Sequence, residues 1–375
     1  LYVHLPWCVR KCPYCDFNSH AAKGELPFDA YVDALIADLD HDLPLVWGRV
    51  VNSVFFGGGT PSLFPPEAID RFLQQASARL RFAPGLEITL ETNPGTAEHG
   101  RFDRYLAAGV NRLSFGIQTF DDVALQRLGR IHDSGQAEAA VKLAQDAGYD
   151  NINVDLMYAL PEQGLAQATH DLERAFALQP AHISHYQLTL EPNTVFFARP
   201  PKGIPDEDAA WDIQEHCQAM LAANGYAQYE VSAYARDGRQ CAHNLNYWRF
   251  GDYLGIGAGA HGKISSGAHG NVLRRWKHKH PQTWMQHAGT AAAIGGDDVI
   301  APERLPFEYM LNLLRLHEGF DLPSFQARTG LSAAAIDAPL RTAIERGWLQ
   351  RTGDHLQPTE LGRRFTNDVV ELFLD

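Results

Sequence analysis

Three cysteines in the first fifteen residues, Cys8, Cys12 and Cys15, are the residues of this chain best suited to chemistry, and they are spaced as CxxxCxxC. Cysteine thiolates are the ligands by which proteins hold iron–sulfur clusters. Three thiolates on one short loop can hold three irons of a [4Fe-4S] cluster and leave the fourth iron open to a ligand from outside the protein. The spacing therefore predicts a cluster with one iron available for chemistry.

Two other uses of these cysteines stay open from the residues alone. A zinc site needs four ligands, and His4 or His20 could supply the fourth, although zinc sites usually join two CxxC-like halves across a longer loop. A disulfide fits less well, because the chain has five cysteines, an odd number with three of them clustered. That distribution is more typical of a reducing compartment than of a secreted protein.

The strands and helices that must position this loop can be predicted from the sequence, in which strand-like apolar stretches alternate with segments of helical periodicity. Short β-branched stretches predict six strands, at residues 1–5, 51–56, 86–91, 110–116, 152–157 and 183–190. Helix-period segments lie between them, at residues 28–46, 66–80, 134–147 and 166–178. Strand–helix alternation predicts a parallel sheet, and six units are too few for a closed eight-stranded barrel. We predict an α/β fold built on a partial, three-quarter TIM-like (βα)6 barrel.

Residues suited to ligand binding fall where these strands end. The second strand runs into a Gly-Gly-Gly-Thr run at residues 57–60, whose open backbone N–H groups suit a carboxylate. Glu91 ends the third strand, Gln118 follows the fourth, and Asp155 lies on the fifth. Reactive groups of such barrels lie at the carboxyl ends of the strands, so we expect one active face. A plain tight turn and a hydrogen-bonded strand-end carboxylate are the alternatives for the glycines and Asp155.

The cysteine string, with Tyr14 as its aromatic residue, resembles the CxxxCx-aromatic-C signature of the radical S-adenosylmethionine (SAM) superfamily. Over nearly its whole length the chain resembles the oxygen-independent coproporphyrinogen III oxidase family, including its heme-chaperone branch. This resemblance implies that SAM binds the open iron through its amino and carboxylate groups. It further implies reductive cleavage to a 5′-deoxyadenosyl radical, and hence an electron donor such as a flavodoxin or ferredoxin.

The resemblance also implies which residues bind the cofactors. Cys8, Cys12 and Cys15 would hold the cluster, and Tyr2 and Tyr14 would pack against the cofactor. Gly58 and Glu91 would bind the cluster-bound SAM. A second SAM site would consist of Gly59, Thr60, Gln118, Arg130 and Asp155. A solvent-facing cation on a loop is the alternative for Arg130.

Three features favour the heme-chaperone branch over coproporphyrinogen oxidation. Phe17 lies two residues after Cys15, where the oxidising enzymes carry a fourth cysteine, and almost nothing precedes Tyr2, where they carry an amino-terminal arm. Residues 243–248 read HNLNYW and match the HNxxYW element of the chaperone branch. By the chemistry of the side chains, His243 can ligate heme iron, and the rings of Tyr247 and Trp248 can cover a porphyrin face.

The alternative for this element is structural. The same residues could form a loop in which His243 satisfies buried carbonyl groups and Trp248 fills the core beneath the barrel. Downstream, residues 251–280 are rich in glycine and histidine and contain His269, Arg274 and Lys279. Such a basic loop suits a carboxylate-bearing ligand such as a porphyrin, and an ordinary solvated loop is the alternative.

We predict three domains. Residues 1–200 would form the radical SAM partial barrel, residues 201–300 an extension with the HNxxYW element and the Gly/His-rich loop, and residues 301–375 a winged-helix-like α+β domain. Winged-helix domains often bind DNA, but the last of these segments, counted from Pro302, has eight Arg and Lys residues against eleven Asp and Glu. With a net charge of −13 for the whole chain, nucleic acid is not an expected partner.

We therefore expect a radical-SAM-type heme chaperone that binds the cluster, SAM and heme and transfers heme to respiratory or other hemoproteins. The expected partners are heme or porphyrin and a hemoprotein acceptor, which could be membrane-associated. No run of about 18 apolar residues predicts a membrane span, so the expected location is the cytoplasm, with peripheral membrane contact as an option. The alternative function is oxidative decarboxylation of coproporphyrinogen III propionates to vinyl groups; whether the chain turns over a substrate stays open.

Overall fold

A nine-stranded sheet forms the centre of the computed structural model, which describes residues 1–95, 101–266 and 271–374. Six neighbouring strands are parallel and follow one another in chain order. They are β1 (Tyr2–Leu5), β2 (Val50–Gly58), β3 (Arg81–Thr92), β4 (Arg112–Gln118), β5 (Ile152–Tyr158) and β6 (His182–Gln187). The predicted six-stranded parallel α/β core is confirmed. His269 lies outside the described residues.

Short strands that the sequence did not predict extend both edges of the sheet. Gly255–Ile256 pairs in parallel with the outer side of β1. At the other edge, Ala233–Ala235 pairs antiparallel with β6, and Ala227–Gln228 pairs with it in turn. The two edges do not pair with each other in the described part of the chain, so the barrel is open as predicted. Strands of two or three residues are too short to show a period in the sequence.

Helices connect the strands and cover the outer face of the sheet. They are Phe28–Asp42, Pro66–Ser77, Phe102–Ala107, Asp122–Arg127, Ser134–Asp146, Leu165–Ala177, Val195–Ala198 and Glu207–Ala223. The first is shorter than predicted, because Pro44 lies in a separate 3-10 turn, Leu43–Val46, and proline cannot continue the hydrogen bonds of an α-helix. Across the described residues, no helix has both the length and the apolar composition that crossing a bilayer requires.

The carboxyl-terminal half contains two smaller antiparallel sheets. One consists of His261–Ser266, Asn271–Lys277 and Ile294–Ile300, beside helix Pro281–His287. The other consists of Phe320–Asp321, Leu349–Thr352 and His355–Pro358, with helices Leu305–Leu313, Leu322–Thr329, Asp337–Glu345, Glu360–Arg364 and Thr366–Glu371. Helices followed by a two-stranded wing match the predicted winged-helix-like arrangement. The boundaries at residues 200 and 300 stay predictions.

The parallel strands have an apolar outer face and a polar inner face. Leu113, Phe115 and Val154 are fully buried against the helices, where each contributes roughly 1.5–3 kcal/mol of hydrophobic stabilisation. Because successive side chains of a strand point to opposite faces, the residues between them point into the barrel. On β3 to β6 these inward residues are Glu87, Thr89, Glu91, Arg112, Ser114, Asn153, Asp155, His182, Ser184 and Tyr186. Barrel interiors are ordinarily filled by branched apolar side chains, so a polar interior indicates a ligand site.

A buried ion-pair cluster joins strand Asn271–Lys277 to helix Phe28–Asp42. The Nζ atom of Lys277 lies 2.6 Å from a carboxylate oxygen of Asp38 and 2.6 Å from one of Asp42, and all three side chains are at most 1% exposed. We expect Lys277→Met to lower the free energy of unfolding by about 3–5 kcal/mol, because both carboxylates would stay buried without this cation. Urea unfolding followed by circular dichroism measures the loss.

The matched control is Arg71→Met, which removes exposed ion pairs with Asp29 and Asp33. Exposed pairs contribute about 1 kcal/mol or less, so the control should unfold almost as the parent protein does. A loss below about 1 kcal/mol for Lys277→Met would contradict the structural role given to the buried cluster.

Candidate cofactor and ligand site

The cysteine loop begins directly after β1 at the carboxyl end of the parallel strands. Its two ends are joined by a short parallel pairing between Trp7–Cys8 and His20–Ala21. All three cysteines are free thiols; Cys8 is buried, and the other two are half-buried. The Sγ atom of Cys15 lies 3.7 Å from the Ser19 hydroxyl. The loop thus presents three thiols from a backbone whose ends are fixed.

The donor set fits a cluster better than it fits a zinc ion. In the described part of the chain, no three His, Cys, Asp or Glu side chains converge as the ligands of one metal ion. A cluster spreads its thiolates over separate irons, whereas zinc needs four donors at about 2.0–2.3 Å from one point. The two ring nitrogens of His4 already contact the Tyr2 hydroxyl and the Asn18 carbonyl, and His20 contacts the Asn18 side chain. Neither histidine is therefore placed as a fourth zinc ligand.

The glycine run at the end of β2 allows the strand to pass close to the cysteine loop. Gly58 has a φ of +121°, and a Cβ atom there would lie 2.6 Å from the His4 ring. A Cβ atom on Gly59 would lie 2.6 Å from the Trp7 carbonyl oxygen. Gly58 and Gly59 thus allow β2 to lie directly against β1 and its loop. This close approach leaves the Gly58 N–H pointing at Glu91 Oε2, 3.2 Å away.

Glu91 and Asp155 form a pair of buried carboxyl groups beside this glycine. Burial, and then the charge of Asp155, raise the pKa of Glu91 to about 7. Burial also raises the pKa of Asp155, although its oxygens accept hydrogen bonds from Asn153, at 2.7 Å, and from Ser114, at 3.3 Å. Two carboxyl groups whose pKa values are raised by burial favour a cationic or hydroxyl-bearing ligand, which would stabilise their charged forms.

Arg130 is held against the cysteine loop and is not the solvated cation that the sequence left open. Its guanidinium donates to Asn93 Oδ1 at 2.5 Å and to the Gly116 carbonyl, and its Nη1 lies 3.7 Å from Cys12 Sγ. Asn93 in turn donates to the Thr60 hydroxyl at 2.8 Å. The guanidinium therefore connects the loop to the rims of β2 and β4.

The residues predicted for the two SAM sites meet in one cleft of about 130 Å³ above the cysteines. Gln118, which has a positive φ of 77°, accepts a hydrogen bond from the Tyr186 hydroxyl at 2.8 Å. The cleft is lined by all three cysteines together with Tyr14, Gly58, Gly59, Thr60, Glu91, Gln118, Arg130 and Asp155. Of the predicted cofactor-binding residues, only Tyr2 lies outside this cleft, in the adjoining cavity.

That adjoining cavity has a volume of about 710 Å³ and contains the predicted heme residues. Its wall includes His243, Tyr247 and Trp248, and also Gly58, Glu91 and Asp155, which it shares with the cysteine cleft. Ligand pockets typically measure about 300–1,000 Å³, so this cavity can take a large ligand. The structure therefore brings the predicted SAM and heme residues to one continuous space.

The HNxxYW element is a short helix, Ala242–Trp248, rather than a loop, and Trp248 packs against the hydrophobic core of the carboxyl-terminal domain, in part the structural role considered above. The Nδ1 atom of His243 lies 3.2 Å from the Ser53 hydroxyl, and its ring stacks on Phe55 with 4.9 Å between centroids. Nε2 has no hydrogen-bond partner among the described residues, and burial lowers the pKa of His243 to about 3. A neutral imidazole with one nitrogen anchored and the other free is the usual arrangement of a metal-ligating histidine.

Several residues of the cavity wall were not singled out from the sequence as site residues. Arg112, Asn153 and Ser184 line it from early positions of β4, β5 and β6. The available signal was the alternation of polar with apolar residues in these strands, since strands of a buried parallel sheet are normally apolar throughout. Arg274, noted as part of the basic loop, also lines the cavity, but its guanidinium is paired with Glu308 at 2.5 Å.

Comparison with known proteins identifies the family to which this chain belongs. Residues 2–175 match the family model of the Radical SAM superfamily, and residues 300–365 match that of the HemN C-terminal domain. A protein of Escherichia coli (strain K12) named heme chaperone HemW is 51% identical over 374 residues, which cover 100% of this chain and 97% of that protein. The Haemophilus influenzae protein of the same name is 47% identical over 378 residues, covering 100% and 97%.

Among solved structures, the coproporphyrinogen III oxidase HemN from Escherichia coli, described as a radical SAM enzyme, superposes with a TM-score of 0.84. The match covers 99% of this chain and 89% of that one at 24% sequence identity, and it shows a shared fold. The full-length identity to proteins named HemW shows the closer relationship. The chain therefore belongs to the HemW heme-chaperone family of radical SAM proteins.

Proposed function

We propose that this chain is a heme chaperone that binds a [4Fe-4S] cluster, SAM and heme and delivers heme to a hemoprotein. One observation carries the proposal: His243, Tyr247 and Trp248 line the same cavity as Gly58 and Glu91. A heme on the histidine would lie next to SAM on the cluster. The two bacterial relatives described above, both named heme chaperone HemW, support the same heme-chaperone function.

In this proposal the residues of the cysteine cleft hold the cofactors. Cys8, Cys12 and Cys15 would ligate the cluster, which when bound supplies an electron and one open iron. The Glu91 carboxylate would accept a hydrogen bond from the SAM amino group, and the Gly58 N–H keeps that carboxylate in place. The rim formed by Thr60, Gln118, Arg130 and Asp155 would contact a second SAM molecule, and the Tyr2 and Tyr14 rings would pack beside the cofactors.

The helix Ala242–Trp248 would hold the heme. His243 would ligate the iron through Nε2, because Nδ1 is anchored at Ser53. The Tyr247 ring is 37% exposed, and Trp248 packs partly against the carboxyl-terminal core; because both residues line the cavity, their rings would contact a bound porphyrin. Such a site is open enough for heme to be transferred to an acceptor protein.

We extend the proposal to two protein partners. One is a hemoprotein acceptor, which can be membrane-associated and would bring the chain from the cytoplasm to the membrane periphery. The other is an electron donor such as a flavodoxin or ferredoxin. Val9 and Phe17, beside the cysteines, are 54% and 63% exposed, and they offer apolar contact area close to the cluster position. Nucleic acid is not a proposed partner, given the acidic charge.

The proposal is tested by heme titration of anaerobically reconstituted protein, followed by mixing with an apo-hemoprotein. We expect one heme per chain and its appearance in the acceptor. A parallel incubation with coproporphyrinogen III, SAM and a reductant should give no protoporphyrinogen. Formation of protoporphyrinogen without stoichiometric heme binding would establish the oxidase alternative in place of the chaperone.

SAM affinity is expected to depend on pH through Glu91. Because the pKa of Glu91 is raised to about 7, the carboxyl group is protonated below that pH and no longer offers a charged acceptor to the SAM amino group. The dissociation constant for SAM should therefore rise about tenfold per pH unit below 7 and stay level above it. Equilibrium binding of radiolabelled SAM between pH 6 and 8, at constant cluster content, measures this.

Glu91→Gln is the matched control for this prediction. The amide cannot ionise, so binding should be weak and independent of pH over the same interval. An equally steep pH dependence in Glu91→Gln would show that another group titrates, and a flat profile in the parent protein would contradict the role of the Glu91 carboxylate.

A further inference from the structure

Arg112 is a buried arginine without a hydrogen-bond partner in the described part of the chain. It begins β4, points into the barrel, and is 2% exposed. Its Nε atom is buried and unpartnered, and the nearest ion-pair atom, Glu87 Oε2, lies 3.9 Å away, beyond hydrogen-bond distance. A buried hydrogen-bonding group left unsatisfied destabilises a protein, and a charged group does so more strongly.

The acidic residues around Arg112 balance its charge but are hydrogen-bonded elsewhere. Glu87 Oε1 accepts from the Cys241 thiol at 3.5 Å and from the His243 N–H at 3.3 Å. Asp155 accepts from Asn153 and Ser114, and Glu91 accepts from the Gly58 N–H. The guanidinium therefore keeps its paired donors free for an acceptor that is not part of the protein.

The free donors face the large cavity. Arg112 lines the 710 Å³ cavity together with His243 and Asn244, and it does not line the cleft above the cysteines. None of the three guanidinium nitrogens has a hydrogen-bond partner in the described part of the chain, and only Nε is also shielded from solvent. The two terminal nitrogens are therefore accessible from the cavity. A planar guanidinium with parallel N–H groups is the side chain best matched to a carboxylate, which it binds through two hydrogen bonds.

We propose that Arg112 is a carboxylate-binding residue in the cavity wall and that it binds a propionate of the porphyrin cargo. This inference rests on the proposed heme binding. Arg112 lies on the cavity wall that carries His243. This position favours a porphyrin propionate over the other carboxylate within reach, which is that of the methionyl group of SAM. Arg274 also has a buried, unpartnered Nε atom, but it is a poorer candidate, because one of its terminal nitrogens is already paired with Glu308 and the two terminal donors are no longer both free for a carboxylate. Together, iron ligation at His243 and a carboxylate bond at Arg112 would fix the rotation of the porphyrin in its plane.

The test compares heme with heme dimethyl ester, which lacks free carboxylates, on the parent protein and on Arg112→Met. Dissociation constants are measured anaerobically by absorption titration on clustered protein. We expect Arg112→Met to weaken heme binding about 10- to 100-fold, the range for hydrogen bonds to a charged group, and to leave ester and SAM binding unchanged. Arg112→Lys, which keeps the charge but loses the paired donors, should be intermediate. Arg71→Met, a remote exposed arginine, should behave as the parent.

Four results would overturn parts of this account, and they are distinguishable. Equal heme affinity in Arg112→Met and the parent would remove Arg112 from the site while leaving the chaperone proposal intact. Weaker SAM binding with unchanged heme binding would assign Arg112 to the SAM carboxylate. Loss of heme binding in Lys279→Met but not in Arg112→Met would place the propionates at the basic loop. Failure of the parent protein to bind heme would overturn the chaperone proposal itself.

A second variant distinguishes a loss of the carboxylate-binding group from a folding defect in Arg112→Met. Arg112→Met leaves Glu87 without its nearest cation, so the double variant Arg112→Met/Glu87→Gln removes the charge of both residues. If the inference is correct, the double variant binds the ester as the parent does and binds free heme about 10- to 100-fold more weakly than the parent. Equal affinities of the double variant and the parent for free heme would contradict it.

Discussion

Replacing Cys12 by serine is expected to abolish the cluster. Iron and acid-labile sulfide should fall from about four of each per chain to near zero in anaerobically reconstituted protein. The reason is that three thiols form the whole protein donor set at the loop, and a serine hydroxyl is a hard, poor ligand for iron–sulfur chemistry. Iron and sulfide analysis together with visible absorption measures the loss.

A matched control comes from another cysteine of the same chain. Cys217 is fully buried on the helix Glu207–Ala223, away from the cysteine cleft. Cys217→Ala should therefore keep the iron and sulfide content of the parent protein. Equal loss in both variants would show that the effect comes from folding, and full retention in Cys12→Ser would remove Cys12 from the ligand set.

Replacing His243 by alanine is expected to weaken heme binding about 100-fold or more and to change the heme absorption spectrum. The imidazole is positioned by Ser53 and Phe55 with Nε2 toward the cavity, so its loss removes the iron ligand as well as packing area. Even outer partners of metal ligands commonly contribute 10- to 100-fold to metal affinity, so loss of the ligand itself should cost at least as much.

The control for this prediction is His287→Ala, which removes an exposed histidine at the end of helix Pro281–His287. Its heme affinity and spectrum should match those of the parent protein. An unchanged heme spectrum in His243→Ala would show that a different residue ligates the iron. Cluster content measured on the same samples separates loss of heme binding from loss of the barrel.

The residues that the sequence identified are those whose signal is local. The cysteine spacing, the glycine run and the strand-end position of Glu91 can be read within a few residues, and the structure brings the three cysteines, Gly58, Gly59 and Glu91 to one cleft. The six parallel strands were also predictable, because outward-facing apolar residues alternate with inward-facing, mostly polar residues over four or more positions. Periodicity of this length is the strongest sequence signal for secondary structure.

The residues that the sequence missed depend on the tertiary arrangement. Arg112 lies early on a strand, and only the barrel places it beside Glu87 and His243, which are distant in sequence. The helical state of the HNxxYW element was likewise not predictable, because seven residues offer too little periodicity and the helix is defined by its packing on β2. The short edge strands formed by Gly255–Ile256 and Ala233–Ala235 exist only through pairing with β1 and β6.

The most direct test of the central claim is the electron paramagnetic resonance spectrum of the dithionite-reduced, anaerobically reconstituted protein before and after SAM is added. The account predicts an S = 1/2 signal of a [4Fe-4S] cluster whose g-values shift when SAM binds the iron that carries no cysteine. A protein that contains zinc in place of iron and sulfide, or a cluster signal that SAM leaves unchanged, would contradict it.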